Sequence, residues 1–201
     1  MKTTNRKSQK GQRFTSDYLP YDKAMLKGSE LLWSDKMVIG FYIIFSINSG
    51  LRISDILNKK HSELINIRAG DYLSLTEKKT KKFRQIQINS KIIEAYSYLI
   101  KRQKETGKYF PEGFIFTSQK GTVYAIESIN TILKTVFSGY AEHISSHSLR
   151  KSFGRHVYEK NGQSENALNS LSEIFQHESL KTTRIYLGIR KEELGNIYLS
   201  L

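Results

Sequence analysis

The chain has 201 residues, a length that suits one domain or a domain with a short appendage. Its 38% hydrophobic content is enough to bury a core, and 32 Lys and Arg against 19 Asp and Glu leave a formal charge of +13, which attracts polyanions and points first to nucleic acid. Cysteine is absent, which excludes disulfides, thiolate zinc sites and cysteine nucleophiles and fits a reducing cytosol.

The N-terminus MKTTNRKSQKGQRF is basic and lacks the apolar run of a secretory signal. The most apolar stretch, Met37 to Ile47, is 11 residues long, too short to span a bilayer. Both features predict a cytoplasmic protein with no membrane partner. Residues 1–27 carry Lys2, Arg6, Lys7, Lys10, Arg13, Lys23 and Lys27 against Asp17 and Asp22, and read as a flexible basic arm that lies along phosphates or stays solvated.

Ser34 and Asp35 predict a helix start for Lys36 to Asn48, with Gly50 as its stop. Ser54 predicts the cap of a second short helix with Asp55 in its first turn, which puts Arg52 in the corner between them. Residues 63–67 (ELINI), 72–76 (YLSLT) and 84–88 (RQIQI) alternate and predict three short antiparallel strands, the last two joined by the polar turn EKKTKKF. Beyond them, Ile92, Ile93, Tyr96, Leu99 and Ile100 fall at helical spacing before Gly107. GFIFTSQKGTVY reads as a strand or loop insertion, and helices are predicted over 126–137, 148–160, 164–175, 180–187 and 191–199. The expected fold class is α+β, mostly helical, with a small three-stranded antiparallel sheet near the front.

Three features carry chemistry. His147 and Arg150, three apart at a helix start, converge on one ligand, and the guanidinium offers a planar donor fork matched to phosphate oxygens. His177 precedes Tyr186 by nine positions, so a short helix between them turns both to one pocket. A phenol of ordinary pKa near 10 is a poor nucleophile at neutral pH and needs cations and a base beside it. Taken singly, each of these is more often a packing or surface residue. Neither a P-loop nor an H-E-x-x-H zinc spacing is present, and no cofactor or metal is expected.

Together, NSGLRISDIL (48–57), HSLRKSF (147–153) and FQHESLKTTRIYL (175–187) resemble, in order, the signature boxes of the tyrosine recombinase (phage integrase) family. The turn in EKKTKKFRQIQI is similar to the strand turn that carries this family's catalytic lysine. The resemblance covers about residues 30–190 and implies the family's DNA breaking–rejoining catalytic-domain fold. It also implies roles. Arg52 and Arg150 clamp the non-bridging oxygens of the scissile phosphate, His147 moves a proton, and His177 hydrogen-bonds the phosphate. Lys79 protonates the leaving 5′ oxygen, with Lys81 the second choice in a turn that also holds Lys78 and Lys82. Tyr186 attacks phosphorus. Double-stranded DNA is the implied partner, with a homo-tetramer on DNA and accessory DNA-bending proteins.

The chain departs from the family pattern at Gln176, where glycine is usual, and at Asp55, where glutamate is commoner. The boxes also begin almost at once, leaving no room for the separate core-binding domain of most relatives, a short layout similar to the fimbrial phase-variation invertases. The expected organisation is a basic arm over 1–27, a catalytic domain over 28–190, and a tail helix over 191–201. The tail either packs on its own domain or docks into a neighbouring protomer. Other readings stay open: a non-catalytic DNA-binding regulator on the same fold, a type IB topoisomerase-like relaxing enzyme, and a basic RNA-binding protein.

Overall fold

The computed structural model describes residues 15–201, and its first helix, α1 (Tyr21–Leu32), lies along α2 (Met37–Ser49). Every residue of α2 from Ile39 to Ile47 is buried, which explains why that run is apolar on all sides. Helices α1, α5 (below) and α7 (below) surround it. The α1–α2 approach is close: a Cβ added at Gly40 would stand 2.1 Å from the Leu32 amide nitrogen. The basic arm expected over 1–27 is therefore too long. Leu19 is buried, helix begins at Tyr21, and residues 1–14 of the expected arm lie outside the described residues.

Gly50 ends α2 in the left-handed region at φ 61°, as the sequence predicts, and Phe153 packs where its Cβ would be. The expected start is displaced, since Lys36 rather than Ser34 or Asp35 is the N-cap, and the Ser34 hydroxyl accepts the Lys36 amide at 3.1 Å. Helix α3 (Ile53–Leu57) follows directly, with Arg52 at its N-cap and Asp55 in its first turn, so Ser54 lies inside the helix instead of capping it.

The sheet has two strands, not three. ELINI instead closes the short helix α4 (His61–Leu64) and a following turn, because Glu63 accepts the Lys60 amide at 2.7 Å and pairs with Lys59 at 2.6 Å. Leu64 and Ile67 then meet the core at the three-residue spacing of a turn, a pattern that alternation mimics over five residues. Strands β1 (Tyr72–Thr76) and β2 (Phe83–Gln87) form the antiparallel hairpin, with Leu73 opposite Ile86 and Leu75 opposite Arg84. The rest is helical: α5 (Ser90–Glu105), α6 (Ile126–Val136), α7 (Ser146–Lys160), α8 (Glu165–Phe175), α9 (Leu180–Leu187) and α10 (Ile189–Leu199). Between α5 and α6 the GFIF segment is a loop that plugs the core with Phe116, stacked on Phe41 at 5.6 Å between centroids.

Two apolar clusters hold the chain. The larger is built on α2. The smaller joins Tyr158 of α7 to Leu168, Leu171 and Phe175 of α8, Leu187 of α9 and Ile189 of α10. Among the described residues no helix is long and apolar enough to cross a membrane.

Candidate active site

The site forms where the α2–α3 corner, the hairpin, the start of α7 and the α8–α9 turn meet. Arg52 leaves the corner with extended backbone and reaches the Glu77 carboxylate, on the last inward-facing position of β1's alternation. Glu77 is fully buried and also accepts from the Arg84 guanidinium at 3.2 Å and the Thr80 hydroxyl at 2.8 Å. Burial alone would push its carboxyl up, but Thr80, Arg52 and Arg84 outweigh burial and lower it, so Glu77 is charged at neutral pH.

The hairpin is locked to α3 by Asp55, whose Oδ1 accepts the Lys78 amide at 2.8 Å. Beyond that lock the turn lysines separate. Lys78 and Lys81 line a groove with Ser54, Asp55, Lys59 and Glu63, and Lys81 takes the left-handed turn position at φ 59°. Lys79 is exposed on the hairpin tip, and its charge acts on the His147 imidazole.

Ser145 starts α7 by accepting the His147 amide at 3.1 Å, while its own amide donates to Ser148 Oγ. That start places His147 at the solvent edge and Arg150, one turn on, in the interior at 5% exposed. Desolvation, followed by the Arg150, Lys151, Arg52 and Lys79 charges, lowers the His147 pKa, so the ring is an available proton acceptor at neutral pH. Arg150 donates through Nη2 to the Phe175 carbonyl at 3.2 Å, and Arg52 Nη2 reaches the same oxygen at 3.4 Å. Arg150 Nη1 is buried with no hydrogen-bond partner. Burial pulls the Arg150 pKa down to about 10, which leaves it charged at pH 7.

Phe175 is the last residue of α8, and Gln176 turns the chain with φ 55° and ψ 46°. This left-handed conformation is the one glycine adopts at no steric cost, which is why the residue type there matters. The Gln176 side chain also leaves its Oε1 buried without a partner. Relief of left-handed strain of roughly 1–2 kcal/mol exceeds the roughly 0.4–1 kcal/mol of unfolded-chain entropy that glycine adds. Gln176→Gly is therefore expected to stabilise the fold by about 1 kcal/mol, seen as a thermal midpoint about 2–4 °C higher. An unchanged or lower midpoint would refute the strain.

After that turn His177 points its Nδ1 at the Thr183 hydroxyl, 3.0 Å away, and Thr183 is fully buried. Burial, then the Arg150 and Arg52 charges, brings the His177 pKa down to about 4, so its ring is neutral. Tyr186 stands on α9 with its ring edge-on to Phe175 at 5.3 Å and to His177 at 5.2 Å. Its hydroxyl is buried beside the Arg150 guanidinium and makes no well-formed hydrogen bond. Burial pushes the phenol up to about 12, against the Arg150 and Arg52 charges, which pull it down.

The structure thus gathers Arg52, Arg150, His177 and Tyr186 around the end of α8, sets His147 at the rim, and places Lys79 across from it. Sequence reasoning missed Glu77, Arg84, Lys151 and Thr183. A signal existed for the first two: alternation puts Glu77 after Leu73 and Leu75, and Arg84 before Ile86 and Ile88, on the buried face. A charge at an inward position needs a charged partner. Among the described residues no group of three or more His, Asp or Glu is placed to hold a metal ion.

A family model described as the phage integrase family matches residues 23–193. The chain belongs to the phage integrase family, the tyrosine recombinases. It is 32% identical over 158 residues to the "Probable integrase/recombinase YoeC" of Bacillus subtilis (strain 168), covering 79% of this chain and 81% of that one. It is 31% identical over 154 residues to the tyrosine recombinase XerC of Nitrobacter winogradskyi, covering 75% of this chain and 45% of the relative. Among solved structures, the XerH site-specific recombinase bound to palindromic difH substrate in a post-cleavage complex superposes with a TM-score of 0.70 at 21% identity, over 95% of this chain and 55% of that one. A lambda integrase dimer bound to a COC′ core site gives 0.60 at 18% identity, over 88% and 60%. These likenesses show that the fold is that of tyrosine recombinase catalytic domains, and the chain spans about half the length of the XerC and XerH proteins.

Proposed function

We propose that this tyrosine recombinase breaks and rejoins double-stranded DNA site-specifically through a covalent 3′-phosphotyrosine on Tyr186. One observation carries the proposal: the buried Tyr186 hydroxyl and the buried Arg150 guanidinium stand side by side near Arg52 and His177, with neither the phenol oxygen nor Arg150 Nη1 in a well-formed hydrogen bond. Leaving buried polar groups unpaired is costly, and a phosphate satisfies both at once.

That placement supports the residue roles that the family resemblance implies. Arg52 and Arg150 exchange the Phe175 carbonyl for the non-bridging phosphate oxygens, and His177 adds a donor. His147 accepts the phenol proton as Tyr186 Oη bonds to phosphorus, and the P–O5′ bond breaks with Lys79 supplying the proton to the 5′ oxygen. The 5′ hydroxyl of a partner strand then attacks the phosphotyrosine and reverses each transfer. The covalent bond conserves the phosphodiester energy, and the arginines stabilise the charge gathered in the pentavalent transition state.

The proton donor is testable. Lys79→Ala is expected to slow cleavage of a nicked suicide duplex about 100-fold, Lys81→Ala within about threefold of the parent. A 5′-bridging phosphorothiolate, whose sulfur leaves without a proton, restores Lys79→Ala. The reverse ranking would move the acid to Lys81.

Assembly into a homo-tetramer on DNA is supported by the tail: Leu194, Ile197, Tyr198, Leu199 and Leu201 are all exposed, the last three by 77% or more; a nucleoid-associated setting would follow from DNA as the partner. Such an apolar set suits docking on a second copy of the chain. Accessory DNA-bending proteins complete the proposed partners.

A further inference from the structure

Residues 16–19 strap across the start of α7. Ser16 Oγ lies 2.6 Å from Ser145 Oγ, the cap of that helix. Asp17 and His143 exchange two bonds, Asp17 N–H to His143 O at 2.8 Å and His143 N–H to Asp17 Oδ2 at 2.9 Å. The Leu19 amide donates to Ser152 Oγ at 2.9 Å. The fourth tie is Lys151, whose Nζ donates to the Ser16 carbonyl at 2.6 Å.

Lys151 follows Arg150 directly, and a lysine so placed would ordinarily reach for phosphate. Here it is only 6% exposed, and its Nζ stands 5.3 Å from the centroid of the Tyr186 ring. Burial lowers its pKa and the Asp17 carboxylate opposes that, so the strap supplies both a carbonyl and a compensating charge. An ammonium over a desolvated aromatic face is attracted to it. Phe175 and His177 meet the same ring edge-on, while its hydroxyl, beside the Arg150 guanidinium, makes no well-formed hydrogen bond. What the protein holds is therefore the ring.

We propose that Lys151 is a positioning residue for the nucleophile: its ammonium holds the Tyr186 ring while the Ser16 carbonyl holds the ammonium, so that the 16–19 strap sets where the phenol stands. The proposal rests on Tyr186 being the nucleophile. It predicts an effect on the rate of attack rather than on DNA affinity, because a reacting atom displaced by about 1 Å costs as much as 10²-fold.

The test uses the full chain and a nicked suicide duplex, with cleavage followed in single turnover at saturating protein. Lys151→Met is expected to slow adduct formation about tenfold with a Kd within twofold of the parent, and Lys151→Arg to recover most of the rate. Asp17→Ala, which loosens the strap and removes the charge that compensates Lys151, is expected to slow it in the same direction by less. In the DNA-free protein, ring-flip exchange of the Tyr186 signal, assigned by its loss in Tyr186→Phe, is expected to quicken in Lys151→Met. That readout needs no chemistry, so it fails separately from the assignment of the nucleophile. Unchanged ring flipping and an unchanged rate would overturn the proposal. A rate loss matched by an equal loss of affinity would also overturn it and make Lys151 a phosphate contact.

Discussion

Tyr186→Phe is expected to abolish the covalent protein–DNA adduct while leaving DNA binding and the fold in place. In the proposed mechanism the phenol oxygen is the atom that bonds to phosphorus, so without it no intermediate should form and single-turnover cleavage should fall to background. The hydroxyl makes no well-formed hydrogen bond, so its removal gives up only its weak interaction with the neighbouring Arg150 guanidinium. It removes an unsatisfied buried group, whose cost is about 1–3 kcal/mol. The thermal midpoint is therefore expected to hold or rise, as befits a group kept for activity at the expense of stability. Denaturing gel analysis of the suicide duplex checks the first outcome and calorimetry the second. An adduct that persists in the variant would remove Tyr186 from the mechanism. A variant that binds like the parent, set beside a parent that forms no adduct, would instead favour a non-catalytic regulator.

The second large effect is at Arg150. Losing one preorganised donor to a developing oxyanion costs about 10²–10³-fold in rate, and Arg150→Ala is expected to show a loss of that size in single-turnover cleavage. Affinity for DNA should move far less, because Arg150 is buried and already bonded to the Phe175 carbonyl, which it must give up to take a phosphate oxygen. An interaction that replaces an internal one adds little in the ground state and more as charge accumulates. Arg150→Lys keeps the charge but loses the planar fork and is expected to recover only part of the rate. A variant whose slow cleavage is fully restored by raising the DNA concentration would make Arg150 a binding residue instead.

The fold and the site were legible in the sequence to different depths. The apolar α2, its Gly50 stop and the Arg52 corner follow from local rules, because a helix buried on all sides and a left-handed cap leave direct marks in the residues. The 63–67 strand fails because alternation over five residues does not distinguish a strand from one helical turn plus an exposed residue. The arm fails from Tyr21 on because its helix owes its stability to α2, a tertiary partner that no local pattern reports. For the site, motif order brings the six candidates to notice, but the Phe175 carbonyl that both arginines grip is a backbone atom with no residue-type signature. Lys151 is hidden for another reason: in the sequence it is one more basic residue, and only its burial against Tyr186 sets it apart.

The smaller apolar cluster has a consequence for how the folded protein moves. Tyr186 rides on α9, which belongs with α8 to that cluster rather than to the core around α2. Segments with fewer buried apolar contacts open as cooperative units at a free energy below that of global unfolding. Helices α8 and α9, packed on α7 through that cluster, are therefore expected to open at a lower free energy than α2 and its surroundings. In the proposed mechanism the covalent bond would tie DNA to this smaller cluster, the part of the fold with the fewer apolar contacts holding it.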